Sequence, residues 1–198
     1  MYQSYLKPLL DLSLALILLV ILLPLIIIIS LAIALTSKGK IILAQTRMGL
    51  GGIPFDCLKF RTMYEGDSKR FVKEVDENGI LHKIENDPRV TQVGFILRKF
   101  SLDELPQLIN VLRGEMSLVG PRPLIPSMVQ PYPSENELRT KIRPGITGLW
   151  QIKARSESSS VLQMIVYDRE YIANSSLATD LKILALTVPA VLTGRGAK

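Results

Sequence analysis

The chain has 198 residues, enough for one domain with its own core, and a net charge of +6 that suits an anionic membrane surface, a phosphorylated substrate or nucleic acid. Its single cysteine, Cys57, precludes an internal disulfide, and its single histidine, His82, excludes a histidine-rich metal site. Both are expected to be structural.

The first element is a nearly unbroken apolar run from Leu12 to Leu35 with Pro24 at its centre. As one helix it would reach roughly 36 Å, enough to cross a hydrocarbon core of about 30 Å. Pro24 removes a backbone hydrogen bond and kinks or breaks a helix, so two legs of about 18 Å that enter and leave on the same side fit as well. Lys7 precedes the run and Lys38 and Lys40 follow it, so both flanks carry the cations expected on the cytoplasmic face. A kinked single span and a re-entrant hairpin both remain open on this evidence. No small-residue cleavage site follows, so the segment is expected to stay on the chain as an anchor, residues 1–36, ahead of one domain, residues 37–198.

Ile41 to Thr46 and Phe55 to Phe60 are β-rich runs separated by Gly49, Gly51, Gly52 and Pro54, which predicts a hairpin. Glu65 to Glu85 is charged and weakly periodic, a loop or helical excursion without assigned chemistry. Apolar residues then recur at helical spacing through Phe95 to Leu97 and through Leu102, Leu105, Leu108, Ile109 and Leu112, up to Gly114. Five prolines between Gly120 and Pro133 predict an irregular stretch whose apolar teeth, Leu124, Ile125, Met128 and Val129, rest on a membrane or on the core. Val161 to Ala173 and Asp180 to Leu192 read as amphipathic helices, the last interrupted by Pro189. The predicted class is α+β and mainly helical.

The chemistry concentrates at Ser101-Leu102-Asp103-Glu104-Leu105-Pro106-Gln107-Leu108. Ser101 with Glu104 three residues on has the pattern of a capping box, and Asp103 in a first turn suits the helix dipole. The same geometry has a functional reading: a helix N-terminus keeps an aspartate anionic, offers N–H groups to phosphate, and leaves a carboxylate able to attack phosphorus. An anionic nucleophile meeting an anionic phosphate needs cations. Lys59-Phe60-Arg61-Thr62-Met63 follows a strand, Arg122 sits between two prolines, and Arg143, Lys153 and Arg155 flank Pro144-Gly145-Ile146-Thr147-Gly148. Prolines and glycines there would fix the arginines or bring backbone close to a ligand. Arg98 and Lys99, just before the acids, equally suit the end of the preceding helix.

Taken together, Lys59-Phe60-Arg61-Thr62-Met63, Ser101 to Leu108, Met116-Ser117-Leu118-Val119-Gly120-Pro121-Arg122-Pro123 and Arg143 to Gly148 resemble the bacterial sugar transferases, the monotopic phosphoglycosyl transferases. The resemblance runs nearly the whole chain, from Lys7 and Asp11 through Tyr167-Asp168 to Asp180-Leu181-Lys182. In that family the membrane segment is a re-entrant helix broken at a Ser-Pro pair, and Leu23-Pro24 stands at that place here. The resemblance implies a cytoplasmic domain with amphipathic interfacial helices on the bacterial inner membrane. It also implies transfer of a sugar 1-phosphate from a UDP-sugar to polyprenyl phosphate, giving polyprenyl diphosphate sugar and UMP. By motif position Asp103 would be the covalent nucleophile and a ligand of Mg²⁺, Glu104 would assist the second step, and Lys59, Arg61, Arg98, Arg122, Arg143 and Arg155 would contact phosphate. Asp168 would be a supporting acid or an ion-pair partner. The expected partners are the two substrates, the lipid bilayer and other enzymes of glycoconjugate assembly, without nucleic acid. The alternative from another class is a single-span anchored basic domain that binds anionic lipid or nucleic acid without catalysis.

Overall fold

The structure, a computed structural model, describes residues 2–64, 87–153 and 161–193. A π-helical turn, Tyr2–Leu6, leads into helix α1, Lys7–Thr36. The helix is long and apolar enough to cross a membrane by length and composition. It does not project from the rest of the chain. Lys7, Asp11, Ala15, Ile29 and Ile33 are buried, and Leu18, Leu19, Leu22, Leu25 and Ile26 pack between them, so one stripe at steps of three and four residues lies on the domain from end to end. Leu9, Leu16, Ile17, Val20, Ile28 and Leu35 stay exposed outside that stripe.

The break expected at Pro24 is not a loop: the helical assignment continues through it. Proline there forfeits one hydrogen bond, and the turns on either side keep theirs while the domain supports the helix on one face. The C-terminus of α1 is closed by Arg61. Its guanidinium donates to the carbonyls of Ser37 and Lys40 at 2.7 Å each and to the Ser37 hydroxyl at 2.9 Å, satisfying orphan acceptors beyond the last turn.

Strands β1, Ile42–Met48, and β2, Pro54–Phe60, form the expected antiparallel hairpin, with Ile42 opposite Phe60 and Met48 opposite Pro54. Helix α2 spans Gln92–Lys99, with the Thr91 hydroxyl accepting from Gly94 N–H at its start. A Cβ on Gly94 would lie 2.1 Å from the Thr62 carbonyl oxygen, so only glycine lets α2 rest on the strand's exit. After a 3-10 turn, Leu102–Glu104, comes α3, Gln107–Leu112. Fully buried Asn110 on α3 accepts from Leu58 N–H and donates to the Asp56 carbonyl and to Glu115, which fixes β2 against α3.

Strand β3, Ser117–Val119, is followed by α4, Pro126–Val129, and α5, Pro133–Arg139, then by strand β4, Gly145–Thr147, parallel to β3. Residues 120–133 are therefore less irregular than the prolines predict. Pro126 and Pro133 sit in the first helical turn, where a missing N–H costs nothing. Leu124, Met128 and Val129 are buried against Trp150, Val161, Met164 and Ile165, so these teeth belong to the core and not to a membrane face. Helices α6, Leu149–Lys153, α7, Val161–Ala173, and α8, Leu177–Leu192, complete the mainly helical α+β fold. Helix α8 continues through Pro189, and Leu181, Leu186, Val188 and Leu192 on it are exposed.

A buried polar cluster seats the first turns of α1. Lys7 pairs with Asp180 of α8 and Asp11, Asp11 accepts from the Ser117 hydroxyl at 2.6 Å, and the Tyr171 hydroxyl donates to Asp180 at 2.7 Å and to the Val119 carbonyl at 3.1 Å. The Tyr171 hydroxyl is held neutral, pushed above its ordinary range by burial and by the neighbouring Asp180 carboxylate.

Candidate active site

The acid pair does not open an α-helix. Ser101 takes a left-handed backbone conformation (φ 54°), the one positive-φ residue other than glycine among the described residues, and makes no side-chain cap on the turn it precedes. Such a conformation costs a serine on the order of 1–3 kcal/mol and persists only where its surroundings impose it. The capping box is therefore not formed. Glu104 accepts from Lys59 Nζ at 2.8 Å and from Arg122 Nη2 at 3.2 Å, both through Oε1. Asp103 makes no side-chain ion pair among the described residues, so its carboxylate is left facing the same cations at longer range.

Burial, then the adjacent Glu104 carboxylate, push the Asp103 carboxyl up, and Lys59, Arg122 and Arg98 oppose the shift without reversing it. This corrects the expectation of a helix dipole lowering it: a three-residue 3-10 turn supplies little dipole. A nucleophile must be ionised, so activity that depends on Asp103 should fall on acidification with an apparent pKa above the roughly 3.9 of an ordinary aspartate. A rate–pH profile whose acid limb lay at or below that ordinary value would remove the predicted environment.

Arg122 is held along its whole length. Its guanidinium contacts Glu104 and lies 5.9 Å from the centroid of the Trp150 ring, and the carboxylates keep its charge secure against burial. Its backbone is clamped as well. Arg139 Nη2 donates to the Arg122 carbonyl at 2.6 Å, Arg47 Nη1 donates to the Pro123 carbonyl at 2.9 Å, and Asp168 accepts from the Arg122 N–H. Asp168 and Arg139 form a buried ion pair at 2.7 Å, in which burial pushes the Asp168 carboxyl up while Arg139 pulls it down. Arg139 carries no motif, and its role was not visible in the sequence.

The predicted cations thus divide. Lys59, Arg98 and Arg122 surround the acid pair. Arg61 is spent on the end of α1, and Arg143 is a half-buried brace whose Nε donates to the Gly114 carbonyl at 2.8 Å. Both lie outside the gathered group, as does Asp168, which stands behind Arg122. Arg155, His82 and the stretch from Glu65 to Glu85 fall outside the described residues. The glycines of Pro144-Gly145-Ile146-Thr147-Gly148 serve another close approach than that to a ligand. A Cβ on Gly145 would come 2.0 Å from Gly120 N, because Gly145 N–H donates to the Pro121 carbonyl at 2.8 Å and Gly120 N–H to the Thr147 carbonyl at 2.9 Å. The loop is the backbone support of Pro121-Arg122-Pro123.

Comparison with known proteins gives this arrangement a setting. The bacterial sugar transferase family matches residues 2–194, which is nearly the whole chain. The chain belongs to that family. It is an enzyme, a sugar-phosphate transferase, which disfavours the non-catalytic binding domain. It is 46% identical over 165 residues to the exopolysaccharide production protein ExoY of Sinorhizobium fredii, covering 80% of this chain and 73% of that protein. It is 43% identical over 166 residues to the UDP-glucose:undecaprenyl-phosphate glucose-1-phosphate transferase of Caulobacter vibrioides, covering 80% and 59%. With the undecaprenyl-phosphate galactose phosphotransferase of Salmonella typhimurium it shares 40% over 167 residues, 80% of this chain and 35% of that one.

Proposed function

We propose that this chain transfers a sugar 1-phosphate from a UDP-sugar to polyprenyl phosphate, through a covalent phosphosugar on Asp103, as a first membrane step of glycoconjugate assembly. The observation that carries this reading is the division of labour in the acid pair. Glu104 is occupied by Lys59 and Arg122, whereas the neighbouring Asp103 makes no ion pair among the described residues and is available to attack. In the first step an Asp103 carboxylate oxygen bonds to the phosphorus that carries the sugar, and the bond from that phosphorus to the bridging oxygen breaks, so UMP leaves with the electron pair. In the second step a phosphate oxygen of the lipid attacks the same phosphorus and the Asp103 carboxylate is released. Arg122, Lys59 and Arg98 neutralise the non-bridging oxygens in both steps, and Glu104 takes the proton of the incoming lipid phosphate.

No group of three or more potential metal ligands occurs among the described residues. One carboxylate plus substrate phosphates is a normal donor set for Mg²⁺, so the pair fits the ion with Asp103 as its protein ligand. When bound, Mg²⁺ would neutralise diphosphate charge.

The acceptor is a lipid, so the domain must sit at a bilayer. Both ends of α1 are fixed to the same domain, one through Lys7 and Asp11 and the other through Ile33 and Arg61, which supports a helix held at the membrane on the same side as the domain, the cytoplasmic one. Exposed Phe95 and Ile96 of α2 and the exposed leucines of α8 would lie at the interface. The experiment is a half-reaction. Purified protein with a UDP-sugar and Mg²⁺, but no lipid, should release UMP in an amount limited by enzyme, and a screen of UDP-sugars then names the donor. UMP release that strictly required the lipid would replace the covalent route by direct transfer.

A further inference from the structure

Between the β1–β2 hairpin and the acid pair lies a cavity of about 10 Å³, the space of a single water molecule. Lys59, Glu104 and Arg122 line it, and so does Gln107, the first residue of α3. Neither a phosphate nor a sugar fits there, so what Gln107 does in this cavity it does through its neighbours. Gln107 is buried, at 2% exposure, and its side-chain amide makes no hydrogen bond among the described residues. A methionine of similar volume would fill the same space without a polar group to satisfy, so for folding alone the amide is the poorer choice. Its use lies in what an amide donates and accepts.

The local backbone brings Gln107 to the side of Glu104. Leu105 (φ −54°, ψ −37°) and Pro106 (φ −60°, ψ −18°) are both helical, which puts residues 104 and 107 on one face, a turn apart. Of the groups that line the cavity, the side chains of Arg47, Lys59 and Arg122 only donate, the Cys57 thiol accepts weakly, and the Pro123 carbonyl already accepts from Arg47. Among these side chains the Glu104 carboxylate is therefore the strong acceptor for the Gln107 N–H groups. Lys59 and Arg122 both bind Glu104 through Oε1, which fixes that oxygen more firmly than the plane of the carboxylate. We propose that Gln107 is a positioning residue for Glu104: its amide, bridged to the carboxylate by one water molecule in this cavity, sets that plane and keeps Lys59 and Arg122 in the array that meets phosphate. The proposal rests on the transfer reaction above and adds to it a group that touches neither substrate. A water there has the polar partners it needs, the amide and carboxylate together with the neighbouring cations.

Gln107→Met removes the amide and keeps the volume. It should lower kcat roughly tenfold to a hundredfold, the scale of a catalytic group misplaced by about 1 Å. KM for the UDP-sugar and for polyprenyl phosphate should each change less than about twofold, and the melting midpoint should stay or rise. Gln107→Asn keeps an amide and leaves room for a second water to restore the bridge, so it should recover part of the lost kcat although it packs worse. A side chain that only fills space orders the two variants the other way, with methionine the better in kcat and in melting, and that order would overturn the proposal. The route through Glu104 is read in a Glu104→Gln background, where Gln107→Met should lower the residual kcat less than about twofold. The full loss in that background would also overturn it, since Gln107 would then act independently of Glu104. Failure of the unaltered protein to release UMP from any UDP-sugar is a different result: it sinks the transfer reaction itself, and this role with it.

Discussion

Asp103→Asn is expected to abolish acceptor-independent UMP release and to lower overall turnover by about 10³-fold or more, the scale seen when a covalent nucleophile is removed. An amide neither attacks phosphorus nor brings negative charge to a metal. The same change should not cost stability, and here the sign follows from the environment of the carboxyl. Burial and Glu104 raise its folded pKa above the unfolded one, so the stability it contributes is present in the neutral form at low pH and is lost as pH rises through the folded value. At neutral pH the ionised aspartate therefore opposes folding, and asparagine relieves it. Thermal unfolding at pH 7 should show a midpoint at or above that of the unaltered protein. An inactive variant with a clearly lowered midpoint would mean that Asp103 is a structural group, and substantial remaining turnover would end its role as nucleophile.

Asp168→Ala should act in the opposite manner, through the fold first. It leaves the Arg139 guanidinium buried without its partner and frees the Arg122 peptide from one of its clamps, so a loss of about 3–5 kcal/mol is expected. Replacing both charges, Asp168→Leu with Arg139→Met, should recover most of that stability, because an apolar pair of similar size is at least as well accommodated. Activity should not return with it. Arg122 would keep its side chain and lose its brace, so catalytic turnover should remain depressed in a protein that melts normally. If the double variant recovers both, the pair is only a core element, and the positioning of Arg122 comes from Trp150 and Arg47 alone.

Much of this was legible beforehand because it is written in short-range pattern. The hairpin announces itself through β-rich runs around Gly49 to Pro54, and α7 through its apolar spacing. The acid pair and Lys59, Arg98 and Arg122 could be gathered from their motifs, and the structure does bring them together. What a sequence does not carry is the identity of an arginine's partner. Arg61 and Arg143 stand in motifs as suggestive as that of Arg122, yet they serve backbone carbonyls, Ser37 and Lys40 for one and Gly114 for the other. Arg139 failed to stand out for the converse reason, since nothing local distinguishes a buried clamp in a seven-residue helix from a surface charge. The prolines from 121 to 133 misled because proline breaks a helix only in its interior and starts one at its first turn.

The pairing of Lys7 with Asp180 joins groups 173 residues apart, almost the two ends of the chain. On the ribosome the apolar helix emerges first and its polar seat last, so until α8 has been made, Lys7 and Asp11 have no Asp180 or Ser117 to satisfy them. On the membrane reading proposed above, early commitment of the helix to the bilayer would leave Lys7 and Asp11 with only each other, at a cost in desolvation. On that reading insertion and folding would follow one order: the domain is completed first, and only then does the helix acquire the partners that seat its first turns.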